Sequence, residues 1–136
     1  MKAIIYLLFF ALTSSFASSA DNVAKTGVVF TDGASFEVDF VGYGAESEGT
    51  YLARIKGAEG VQDGTVFKLT KNGGGTGASY YAKEDGTNLL RAPAHAFFGW
   101  EAYVGNATYK INKDNKLSKE LNTADLLKDF KKQGKK

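Results

Sequence analysis

The chain reads as an all-β protein, a small antiparallel eight-stranded barrel (a meander) with a C-terminal amphipathic helix. Three observations carry this. Asp32-Gly33, Asn72-Gly73 and Asp85-Gly86 mark hairpin turns, because Asn or Asp followed by Gly tolerates the positive φ that tight β-turns require. Short runs between these marks alternate with period two. Even spacing favours a closed sheet, which disposes of exposed strand edges.

The elements follow in order. Met1 to Ala20 reads as a secretory signal peptide, with Lys2 ahead of an apolar run from Ala3 to Leu12 and small residues ending in Ser18-Ser19-Ala20. The run is too short for a bilayer span, which needs about 20 residues. No cysteine stands at the junction for lipid attachment. The expected destination is a periplasm or the extracellular medium, with no stable membrane anchor. Residues 21–136 are expected to form a single domain, large enough to bury a core.

Strands are expected near residues 25–31, 35–42, 49–56, 64–71, 78–84, 87–92, 96–104 and 107–112. Phe36, Val38 and Phe40 share one face and Glu37 and Asp39 the other. Tyr51, Ala53 and Ile55 alternate with Leu52 and Arg54, and Phe67 and Leu69 with Val66 and Lys68. Asp63-Gly64 reads equally as the end of a longer loop. From about 117 to 132 the period changes to that of a helix, with Leu117, Leu121, Ala124, Leu127 and Phe130 near one stripe. Thr123 is a good N-cap with Asp125 behind it, so two short helices are an alternative.

Composition narrows the function classes. The chain has no cysteine and one histidine, His95, which removes thiol catalysis and makes zinc sites and a Ser-His-Asp triad poor readings. No calcium loop or phosphate-binding loop is present, so no cofactor is expected. Glu101 and Asp39 are the acids to weigh for a hydrolase. The net charge of +2 hides an asymmetry: residues 21–127 carry 11 basic and 14 acidic side chains, while lysines crowd the last nine residues. An acidic body favours a cationic partner and not nucleic acid. The chain reads as a binding protein and not an enzyme.

The candidate binding element runs from Gly73 to Tyr80. Four glycines in the five positions 73–77 leave no side chains for a core but allow close approach to another molecule. No carboxylate lies between Lys71 and Lys83, so this stretch suits a site lined by someone else's carboxylates. A plain hairpin turn is the competing reading.

From Gly75 to Ile111 the chain resembles the C-type lysozyme inhibitors. Thr76-Gly77-Ala78-Ser79-Tyr80 matches that family's Ser-Gly-x-x-Tyr motif, with Thr in the Ser place, and Gly99-Trp100-Glu101-Ala102 matches its Gly-x-Glu-Ala strand start. Tyr109-Lys110-Ile111 follows its last strand in outline, with Ile where Cys is common. In the family's second contact motif, Phe97-Phe98 stand for Thr-Lys before Gly99, and Pro93 stands for Tyr. The resemblance implies a lysozyme or related muramidase as partner. Gly75, Thr76, Gly77 and Ser79 would then reach the enzyme's catalytic carboxylates, Tyr80 would fix the loop's base, and Phe98 and Gly99 would add contacts. An immunity protein against a peptidoglycan-cleaving toxin would use the same physics. A small-ligand or glycan-binding barrel, with the Gly loop as lid, is the alternative from another class.

Overall fold

A computed structural model describes residues 22–73, 77–95 and 99–134. The signal-peptide reading, Gly75, Thr76, Phe97 and Phe98 lie outside them. Eight antiparallel strands close in sequence order: β1 (Val28–Thr31), β2 (Glu37–Gly42), β3 (Thr50–Lys56), β4 (Thr65–Gly73), β5 (Ser79–Ala82), β6 (Asn88–Ala92), β7 (Trp100–Val104) and β8 (Ala107–Asp114). Closure is made where Val29, Phe30 and Thr31 of β1 pair with Asp114, Lys113 and Asn112 of β8. Among the described residues no helix is long and apolar enough to cross a membrane.

The expected alternation sets the inside of the barrel. Phe36, Val38, Ala53, Ile55 and Leu69 are fully buried there with Phe30, Phe40, Leu90, Ala102 and Ile111. Aromatic rings fill one half of it. Phe40 stacks on Tyr51 at 4.9 Å, Tyr81 on Trp100 at 5.6 Å, and Tyr51 meets Tyr81 edge-on at 5.2 Å. Toward the other half Phe36 lies flat on Tyr109 at 4.0 Å. Offset and edge-on pairs of this kind add to area burial because the ring faces and edges carry opposite partial charge. A register shift between Tyr81 and Ala82 accompanies burial of two consecutive residues, Leu89 and Leu90, which a regular strand would place on opposite faces.

Two short helices, α1 (Asn115–Glu120) and α2 (Thr123–Gly134), replace the single 117–132 helix. Asp114 caps α1 by accepting from the Leu117 N–H at 2.9 Å. The α2 cap is Asn122 and not Thr123: its Oδ1 accepts from the Asp125 N–H at 3.1 Å, while Thr123 is buried within the helix. The break changes the phase of the stripe. Ala124 is exposed, and Leu126 is the fully buried residue, packed with Val41, Leu52 and Val66 on the outside of the barrel. Leu52 and Val66, which alternation places away from the barrel interior, are covered by α2.

Side chains from the helices also complete the sheet. The Ser118 hydroxyl accepts from the Val29 N–H at 2.8 Å. The Gln133 amide accepts from the Val66 N–H at 2.7 Å and donates to the Val66 carbonyl at 2.8 Å. Pairing of β4 with β5 begins only at Thr70, so Val66 has no strand neighbour on that side. Gln133 takes the place of the missing strand, which keeps both backbone groups satisfied.

The turns correct one expectation. Asn72-Gly73 is not a turn: Asn72 pairs with Tyr80 and Gly73 with Ser79, so both belong to β4. Asp32 and Asp85 do organise their turns, each carboxylate accepting from backbone N–H groups two residues on. Asp63-Gly64 ends the longer loop after β3, where the Asp63 carboxylate accepts from the Gly57 N–H at 2.8 Å.

Candidate functional site at one end of the barrel

An up-and-down meander sends alternate loops to the same end, and this places the β2–β3, β4–β5 and β6–β7 connections together. With Gly73 inside β4, the glycine-rich connection shortens to residues 74–78. Its far side is tucked in: Ala78 is buried, and Gly77 has φ +90°. A side chain at Gly77 would have its Cβ 3.1 Å from the Ala94 methyl, so the β4–β5 turn lies directly against the β6–β7 connection. Gly77 and Gly99 are thereby held on neighbouring loops of one end. Gly99 is close-packed as well, with an added Cβ 3.1 Å from the Asn112 side chain and 3.3 Å from the Ile111 carbonyl. The 96–104 strand therefore starts at Trp100, one residue after this approach.

Ser79 and Tyr80 face opposite ways. Tyr81 is buried against Trp100 and Phe40, so Ser79, two residues earlier, shares the inward face at the barrel's mouth. Tyr80 points outward, directly opposite Arg91. It begins a row across the outer wall: Tyr80 pairs with Arg91, Arg91 with Glu101, and Glu101 with Lys110.

No protein-family model, curated protein or solved structure matches the chain.

Arg91 Nη1 lies 3.5 Å from Glu101 Oε1, and the Tyr103 hydroxyl donates to that same oxygen at 3.1 Å. Burial, followed by the bond to Glu101, raises the Tyr103 phenol above its usual range. Beside this row a cleft of about 360 Å³ opens, walled by Pro93, Ala94, Gly99 and Trp100 and floored by Arg91, Glu101 and Lys110, with His95 at its rim. Glu101 is a half-buried member of an ion pair. Asp39, the other acid weighed for hydrolysis, lies on another side of the barrel and is bound to Arg54. Among the described residues no group of acidic and histidine side chains is arranged to hold a metal ion.

Sequence reasoning missed Arg91 and Lys110. The period-two rule puts Arg91 on the outer face of its own strand, but only the register says that Glu101 stands opposite it. Register depends on which turn residues are consumed by the strands.

Proposed function

We propose that the chain is a secreted or periplasmic protein inhibitor of a lysozyme-type muramidase, offering the 74–78 turn to the enzyme's active-site cleft. The observation that carries this reading is the packing of Gly77 against Ala94. It brings the stretch that resembles the lysozyme inhibitors' first contact motif, through Gly77, to the same end of the barrel as Gly99, where that family's second motif would end.

Thr76, Ser79 and the amides around Gly75 and Gly77 would donate to the two catalytic carboxylates. Charge-assisted hydrogen bonds of this type contribute roughly 1.5–3 kcal/mol each. Phe98 and Gly99 on the adjoining loop would exclude water from the rim. The stacked aromatic interior supports a rigid stem for these loops over a ligand held within the barrel. The acidic balance of residues 21–127 would speed encounter with a basic enzyme, by an amount that falls with salt.

The test is the clearing of a bacterial cell-wall suspension by lysozyme with and without the purified protein. Inhibition at stoichiometric ratios is expected. Thr76→Asp would set a negative charge against the carboxylates and should abolish it with Tm nearly unchanged, whereas Ser79→Asp, at a half-buried inward position, should abolish it and lower Tm as well. No slowing at stoichiometric excess against several lysozyme classes ends this reading, and full inhibition by both variants removes the loop from the mechanism.

A further inference from the structure

The cleft over β6, β7 and β8 is a different surface from the 74–78 turn, and its chemistry is complete without an enzyme partner. Its size, about 360 Å³, is at the small end of pockets that hold compact ligands. Three kinds of wall meet in it. Arg91 and Lys110 stand on either side of Glu101 and offer N–H donors with positive charge. Glu101 offers acceptors: both contacts from Arg91 and Tyr103 fall on Oε1, so Oε2 takes neither. Pro93 and Ala94 make an apolar side.

Each wall selects a group. Among the described residues Arg91 meets Glu101 through Nη1, which leaves other N–H donors for a planar anion, and a carboxylate is the shape that a guanidinium edge matches. Glu101 Oε2, which takes neither of those two contacts, matches a hydroxyl donor. A prolyl and alanyl surface matches the C–H face of a ring. A purely apolar ligand would leave Arg91 and Lys110 unmatched, and a small inorganic anion would leave the apolar side and Glu101 unused.

We propose that this cleft binds a sugar acid, a monosaccharide-sized ring bearing one carboxylate. Arg91 and Lys110 hold the carboxylate, Glu101 Oε2 accepts from a ring hydroxyl, and the ring lies along Pro93 and Ala94. Tyr103 keeps Glu101 turned toward the cleft. The proposal does not depend on lysozyme inhibition.

Trp100 is the sole tryptophan of the chain and borders the cleft, so its fluorescence is the readout. Glucuronate, glucose and acetate are titrated separately into the purified protein at low salt. A saturable change with glucuronate in the millimolar range is expected, with glucose and acetate each far weaker. Arg91→Gln should weaken glucuronate at least about tenfold, as expected for loss of a charge-assisted contact. Lys110→Gln, at an exposed position, should also weaken it and stands in if the Arg91 variant does not fold. Lys128→Gln, on α2, should leave it unchanged. No saturable change, acetate binding as tightly as glucuronate, or undiminished binding by folded cleft variants overturns the assignment.

Discussion

Arg54 grips Asp39 through two nitrogens, Nε at 3.0 Å and Nη2 at 2.9 Å from the same Oδ2, on the outer wall of the barrel beneath α2. Its remaining arm, Nη1, reaches Asp129 of α2 at 2.8 Å. Asp39 is only 2% exposed, and the guanidinium that meets it also ties the helix to the sheet. The Asp39 and Asp129 bonds outweigh burial and raise the Arg54 pKa.

Removing one partner should therefore cost far more than removing both. Arg54→Met leaves a buried carboxylate with Lys56 at 3.6 Å as its nearest cation, and stability should fall by about 3 kcal/mol or more. The double variant Arg54→Met, Asp39→Leu should recover most of that loss. Urea midpoints of the two variants decide it; equal losses would mean that the pair is not coupled.

Leu126 separates the observed register of α2 from the one its sequence suggests. Leu126→Ala should destabilise by about 2–5 kcal/mol, since the side chain is fully buried on Val41, Leu52 and Val66. Ala124→Ser, at an exposed site, should change stability by less than about 0.5 kcal/mol. Thermal melts of both variants check this, and the reverse ranking would restore the longer helix.

Tyr81 gives the fold an alkaline limit. Burial first, and Tyr51 second, push its phenol up from 10.0 to about 12. In the unfolded chain it ionises near its ordinary value, so the folded state holds the proton longer. The contribution is complete below pH 10 and is lost as pH rises toward about 12. Tyr81→Phe should flatten the decline of stability in that window and remove the latest phase of the phenolate absorbance titration. An unaltered decline in the variant would place its cause elsewhere.

Gly57 joins the two loops at the end opposite the candidate site. Its φ is +79°, and an added Cβ would stand 2.0 Å from the Ser35 carbonyl oxygen. Gly33 has a similar φ of +83° with open space around it. Gly33→Ala should cost only the backbone strain, roughly 1–2 kcal/mol, whereas Gly57→Ala adds a clash with backbone and should be much worse. Denaturation midpoints of the two variants measure the difference, and equal values would mean that the loops can part.

Sequence by itself determined the strand count, the antiparallel meander and most of the barrel's inner face. These depend on period-two burial and on turn residues, which are local properties of the chain. Phe36, Val38, Phe40, Ala53, Ile55 and Leu69 are all where alternation puts them. Asn72-Gly73 misled because a dipeptide that favours a turn also tolerates a strand when its neighbours pair. The helix stripe misled because the break at Asn122 resets the phase, and only packing on the sheet chose Leu126 over Ala124.

Only the tertiary structure decided what the outer wall does. That Asp39 would be buried, that Gln133 would stand in for a strand, and that Arg91, Glu101 and Lys110 would form one row are all consequences of register and of helix docking. Those are relations between residues far apart in the chain, and no single stretch of sequence contains them.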